Sequence, residues 1–226
     1  IKKICDRNKI YLIEDCAEAF GTYFKNKHAG SFGDISTFSF FGSKTITTGE
    51  GGMVVTNNKK FAEKIERLKM VGVVKNKYYW HNIIGYNYRM TNICAAIGYA
   101  QLKNSRNIIK RKRNIFYNYK KYASRLPLTF HEETVDTTHS YWLVSILLNK
   151  KGIRDKLMKF LLSKGIETRP CFYPVHTMPM YKKQFKEKFP VAKNISQNGI
   201  NLPSGPDLRL KQIKYIVSMI TEFFNK

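Results

Sequence analysis

Lys44 lies in "FFGSKTITTGEGG", a run of small and hydroxylated residues between two segments that read as strands. Its glycines let a backbone approach a ligand closely. In a chain this rich in lysine such a residue is ordinarily a solvated charge. Two further residues change its meaning. Asp15 closes the segment "IYLIED", and Ser39 falls at the end of "ISTFSFF". In an open α/β sheet ligands gather outside the carboxyl ends of parallel strands, so one crevice can serve all three side chains. An amine that can form a Schiff base, a carboxylate that can keep a pyridine nitrogen protonated and a hydroxyl that can hold a phosphate are what pyridoxal phosphate (PLP) demands. Each also has a plain structural reading, Asp15 as a cap for the next element and Ser39 as a turn residue.

The elements that must position these residues alternate in type. "IKKICDRN" has the apolar spacing of a helix's last turns, and the strands "IYLIEDCA", "ISTFSFF" and "GGMVVTN" follow, the first two joined by a polar loop, "GTYFKNKHAGSFGD". Helical spacing then predicts "KKFAEKIERLKMVG", ended by Gly72, and one long helix from an N-cap at Thr91 to about Leu126. Its stripe Phe116, Tyr119 and Tyr122 reads as packing rather than a base-stacking platform. Near Pro127 the composition shifts to a smaller unit with the strand "YWLVSILLN", the helix "GIRDKLMKFLLSKGI", the Pro-rich "ETRPCFYPVHTMPMY" and a closing helix "LRLKQIKYIVSMITEFFN". The expectation is an α/β fold in two parts, residues 1–126 and 127–226.

With 226 residues, 43% of them hydrophobic, the chain can bury a real core. Its four cysteines, Cys5, Cys16, Cys94 and Cys171, form no C-x-x-C pair and no Cys/His cluster, so neither a metal site nor a disulfide framework is expected. No apolar run reaches membrane-spanning length and no signal peptide is evident, which reads as a soluble cytoplasmic protein without a membrane partner. The net charge of +24 makes nucleic acid a partner to weigh. The basic residues are scattered at helix-surface spacing in segments such as "KNSRNIIKRKRN", however, and read as general lysine enrichment.

The blocks "YLIEDCAEAFGTYFKNKHAGSFGDISTFSFFGSKTITTGEGGMVVTN", "GYNYRMTNICAAIGYAQL" and "GIETRPCFYPVHTMPMY" together resemble the DegT/DnrJ/EryC1/StrS family of PLP-dependent sugar aminotransferases, in the family's order and over essentially the whole chain. The lysine loop and the last block are most similar to its perosamine-forming branch. The resemblance implies the C-terminal part of a fold-type-I large domain followed by a small α/β domain. It makes Lys44 the lysine that bonds the cofactor and moves the proton between its carbons, and pairs Asp15 with the pyridinium nitrogen. Glu18 takes the position against the cofactor ring and its phenolic oxygen, Ser39 donates to the phosphate, and Asn87 reaches the phosphate of a neighbouring subunit in a homodimer with shared sites. His176 and Tyr181 face the sugar or the amino donor, or else belong to a segment that closes the small domain over the large one.

The reaction so implied is transamination of a nucleotide-linked 4-keto-6-deoxy sugar, GDP-linked in that branch, with L-glutamate as amino donor. The family's domain also has an N-terminal portion, bearing a phosphate loop and an aromatic residue stacked on the cofactor, with no counterpart in this sequence. A separately encoded N-terminal partner, or an inactive fragment or subunit, is therefore an alternative expectation. So is a related enzyme acting on another sugar nucleotide or a cyclitol ketone. A basic nucleic-acid-binding protein is the third.

Overall fold

The computed structural model describes residues 1–185 and 187–226. In chain order the elements are α1 (Lys2–Arg7), β1 (Ile13–Asp15), β2 (Tyr23–Phe24), β3 (Lys27–His28), β4 (Ile35–Ser39), β5 (Gly52–Val55), α2 (Lys59–Lys69), α3 (Asn92–Lys103) and α4 (Ser105–Tyr122). There follow β6 (Leu128–Phe130), β7 (Thr137–Thr138), β8 (Val144–Leu148), α5 (Arg154–Ser163), β9 (Arg169–Pro170), α6 (Pro190–Asn198), β10 (Gly199–Leu202) and α7 (Leu210–Phe224).

Two compact units form, Ile1–Ile109 with Val135–Ser140, and Lys110–Thr134 with Tyr141–Lys226. The division falls inside α4 and not at the expected 126/127, because the apolar stripe of this helix is core to the second unit. Phe116 and Tyr119 are fully buried there, and the Phe116 ring stacks on Tyr141 at 3.7 Å between centroids. The expected single long helix is broken at Asn104. That residue caps α3 with its amide bonded to the carbonyls of Gln101 and Ala100, and its own carbonyl accepts from the amides of Asn107 and Ile108 to start α4. Thr91 is the N-cap of α3 as expected, its hydroxyl accepting from the Cys94 amide, and Gly72 follows α2 with a left-handed φ of 75°.

In the first unit β1 and β4 run parallel, with Asp15 opposite Thr37, and β5 pairs antiparallel to β4, with Ser39 opposite Gly52. The parallel pair puts the carboxyl ends of β1 and β4 on one side of the sheet. Their connection contains the hairpin of β2 and β3, whose two central residues, Lys25 and Asn26, both have positive φ. That is the geometry of a tight primed turn. The segment read as a polar loop thus has structure of its own, and β7 pairs with β2 on its other side.

The second unit is a four-stranded antiparallel sheet in the order β6, β8, β10, β9. Along β8, Val144, Ile146 and Leu148 are buried and alternate with half-buried residues, whereas β10 is buried at every position. Leu157 and Leu161 of α5 and Ile213, Ile216 and Ile220 of α7 close the core. Among the described residues no helix is long and apolar enough to cross a membrane, and all four cysteines are free.

Candidate active site

Asp15 and Ser39 are the terminal residues of the two parallel strands, so the strand-end placement expected from the sequence holds. Asp15 Oδ1 accepts from the Ala17 amide at 3.0 Å, which fixes the carboxylate at the start of the following turn. Its Oδ2 takes no hydrogen bond among the described residues. Ser39 Oγ accepts from the Phe41 amide at 3.4 Å and donates to no acceptor among the described residues. Both side chains keep bonding capacity for a ligand at the same end of the sheet.

Lys44 is held by the turn that joins β4 to β5. Its amide donates to the Phe41 carbonyl at 2.9 Å, and the loop closes where the Thr48 amide reaches the Phe40 carbonyl at 2.9 Å. The threonines of "TITT" staple this turn, Thr47 Oγ1 donating to the Phe40 carbonyl and Thr48 Oγ1 to the Glu50 carbonyl. Gly49 and Gly51 have φ of 81° and 141°, and a Cβ on Gly51 would come within 2.8 Å of Thr48 Oγ1. The glycines therefore serve backbone geometry. So tied, the Lys44 side chain is only 15% exposed, and its Nζ lies 3.5 Å from Glu18 Oε1. The structure thus brings together Lys44 and Glu18, residues 26 apart in sequence.

Asn87 is exposed and bridges Met70 at the neck of a loop that runs from the end of α2 to the start of α3. His176 and Tyr181 belong to the second unit. The half-buried His176 sits in a short helical turn with its ring 4.4 Å from that of Phe189, and the Tyr181 amide donates to the Met178 carbonyl at 2.9 Å.

Glu14, the neighbour of Asp15, escapes a reading of the sequence. Its carboxylate accepts from the amides of Gly30, Phe32 and Gly33, with 2.8 Å to Gly30 and 2.7 Å to Phe32, and so pins the loop before β4 onto β1. Charge-assisted bonds to half-buried amides are stronger than neutral ones. Glu14→Ala is expected to destabilise the first unit by about 2–3 kcal/mol, with Glu14→Gln recovering part of the loss, read from denaturant midpoints at unchanged slope. Equal midpoints for Glu14→Ala and the native chain would show that the clamp contributes nothing. Burial pushes the thiol of the adjacent Cys16 up to about 11, which keeps it protonated and unreactive at neutral pH. Among the described residues no His, Cys, Asp and Glu cluster could hold a metal ion.

Residues 1–221 match the DegT/DnrJ/EryC1/StrS aminotransferase family. The chain is 52% identical to the GDP-perosamine synthase of Escherichia coli O157:H7 over 100% of its own length and 61% of that protein's. It is 52% identical to the GDP-perosamine synthase of Vibrio cholerae, over 100% of this chain and 62% of that one. Helicobacter pylori PseC, an aminotransferase of pseudaminic acid biosynthesis, superposes with a TM-score of 0.92 at 25% identity, covering 100% of this chain and 62% of that one. The chain thus spans about three fifths of the length of the relatives it matches, their C-terminal part.

Proposed function

Because the chain belongs to the DegT/DnrJ/EryC1/StrS aminotransferase family, we propose that it works in a PLP-dependent transfer of the amino group of L-glutamate to the C4 ketone of a nucleotide-linked 4-keto-6-deoxy sugar, GDP-4-keto-6-deoxymannose in the first instance. The observation that carries this reading is the half-buried Lys44 amine against Glu18, at the end of the sheet where Asp15 and Ser39 have free bonding capacity. The names of the two 52% identical relatives support the GDP sugar.

The donor set fits the cofactor. Lys44 would carry it, the Asp15 carboxylate would hold the positive charge of its ring nitrogen, the Glu18 carboxylate would lie against the ring, and the Ser39 hydroxyl would donate to its phosphate. PLP when bound supplies an electron sink for bond changes at the carbon that bears nitrogen. The task left to the chain is the proton, which Lys44 Nζ takes up and returns on the same side of the site in both half-reactions. Glutamate leaves as 2-oxoglutarate, and the sugar ketone leaves as an amine.

Asn87, exposed on its loop, is assigned to the cofactor phosphate of a second copy in a homodimer with shared sites. Apolar residues left exposed on α3, among them Ile93, Ile97 and Leu102, suit burial in such a pairing. His176 and Tyr181 are assigned to the substrate, and the N-terminal portion that the relatives possess, joined or separate, to completion of the cofactor site. The free cysteines fit a reducing, cytoplasmic setting.

The test is incubation of the purified protein with PLP, L-glutamate and GDP-4-keto-6-deoxymannose, with 2-oxoglutarate and the product's mass as readouts. Formation of an amino sugar nucleotide together with 2-oxoglutarate is expected. Turnover only with a different keto sugar nucleotide would remove the GDP sugar from the reading, and failure to bind PLP even with the relatives' N-terminal portion supplied would remove the reading itself.

A further inference from the structure

The turn from Cys16 to Gly21 leaves β1 and carries Glu18 to Lys44. The Glu18 side chain is 51% exposed, so packing does not hold it, and its place depends on the backbone that bears it. That backbone is tied at both ends. At the entry the Cys16 amide donates to the Thr37 carbonyl at 2.8 Å and the Ala17 amide to Asp15 Oδ1 at 3.0 Å. At the exit the Gly21 amide donates to Nε2 of His28, on β3, at 2.9 Å. Gly21 is buried with a φ of 81°, and a Cβ there would come within 2.4 Å of Ile109 Cδ1. A buried amide needs a partner, and here the imidazole is that partner.

The two bonds of the ring fix its form. An amide can only donate, so Nε2 is the acceptor, whereas Nδ1 bonds the Ala29 carbonyl, which can only accept. His28 is therefore neutral with its proton on Nδ1. An imidazolium or the other tautomer would set a donor against the Gly21 amide. The ring is also held in place, with the rings of Phe20, Tyr23 and Phe38 at 5.8, 5.0 and 5.9 Å between centroids. Beneath it β3 is anchored, because His28 pairs with Tyr23 and the Ala29 amide donates to the Thr22 carbonyl at 2.9 Å. Such a support can transmit position to the turn it holds.

We propose that His28 is a positioning residue of the candidate active site, fixing through Gly21 the turn that sets Glu18 against Lys44. It touches neither Lys44 nor Glu18 and acts through the backbone between them. Resting on the aminotransferase reading, the inference makes His28 the support that keeps the Glu18 carboxylate where a cofactor ring would lie. The hairpin of β2 and β3 thereby serves the site from outside it.

Competitive acetylation of the lysines with acetic anhydride, read by mass spectrometry on the protein without cofactor, tests it. His28→Phe keeps a ring against Phe20 and Phe38 but offers Gly21 no acceptor, and Lys44 should then label about threefold faster, the size expected for loss of a partly exposed ion pair. His28→Gln, whose amide oxygen can replace Nε2 as acceptor, should restore the native rate. Glu18→Ala should speed Lys44 as much as His28→Phe does, and the double variant no more than either, because both changes remove one contact. Nitrogen NMR should find the His28 proton on Nδ1. Native labelling of Lys44 in His28→Phe, multiplied effects in the double variant, an equal rise at the other lysines of the first unit, or a proton on Nε2 would each overturn the proposal. PLP titration, with the relatives' N-terminal portion supplied, separates the two readings. PLP binding with labelling of Lys44 indifferent to His28 sinks the positioning role alone, and His28-dependent labelling in a protein that never binds PLP sinks the aminotransferase reading alone.

Discussion

Replacing Lys44 by alanine should abolish amino transfer, lowering turnover by about 10³-fold or more, because the residue supplies both the covalent anchor for the cofactor and the proton carrier. Borohydride should fix PLP to the native protein and not to the variant, with the labelled peptide covering Lys44. Lys44→Arg is the sharper comparison. Arginine keeps a positive charge opposite Glu18, so the turn and its contact survive, yet a guanidinium can neither form the Schiff base nor give up its proton. Loss of the borohydride adduct and of turnover in Lys44→Arg with unchanged thermal stability would place the effect in chemistry. A Lys44→Ala protein that still transfers amino groups at a tenth of the native rate would refute the role. In a homodimer with shared sites, mixing Lys44→Ala with Asn87→Ala and allowing subunits to exchange should restore activity to roughly a quarter of the sites, since each mixed dimer retains one native pair. No recovery on mixing, with exchange shown by mass, would confine Asn87 to its own subunit or to no role.

The residues of this prediction were legible in the sequence to unequal depth. Asp15 and Ser39 could be placed because each lies at or near the end of a strand-like segment, and parallel strands fix which ends coincide. The turn holding Lys44 was marked by its glycines and hydroxyls. The approach of Glu18 to Lys44 was not legible from spacing, because it depends on the turn after β1 and on the Thr47 and Thr48 staples, which are tertiary outcomes. Glu14 was hidden for a similar reason: its three partners are backbone amides, which leave no side-chain signal. The break between α3 and α4 was missed because "LKNSRNII" lacks glycine and proline, and Asn104 ends one helix and starts the next while most of the hydrogen bonding continues. Strands β9 and β10 are short, and uniform burial gives β10 no alternation to detect. The closed loop between α2 and α3 follows from isolated bridges and left-handed residues, neither of which has a period.

Charge is the feature of this sequence whose meaning depends most on burial, and Lys112 shows it. It lies on α4 with 5% of its surface exposed, and its Nζ donates to the Ser204 carbonyl at 3.0 Å. Among the described residues it has no ion pair. Burial lowers its value from 10.5 to about 8. The folded second unit therefore holds its proton less tightly than the unfolded chain, and below pH 8 carries a penalty of roughly 3 kcal/mol for a buried ammonium, offset in part by its hydrogen bond. Between pH 8 and about 10 the unfolded chain binds more protons than the folded one, so stability from this group rises with pH. Above that range the buried Tyr119 and Tyr141, whose hydroxyls burial holds protonated, reverse the trend, because the unfolded chain releases their protons first. Lys112→Met fills the same space without the charge and is expected to raise the unit's stability by about 1–3 kcal/mol at pH 7. The difference between variant and native chain should shrink as pH approaches 10, read from urea midpoints at several pH values. A variant less stable than the native chain at pH 7 would mean that the bond to Ser204 outweighs the desolvation of the ammonium. A gap that stays constant from pH 7 to 10 would mean that Lys112 does not titrate in that window.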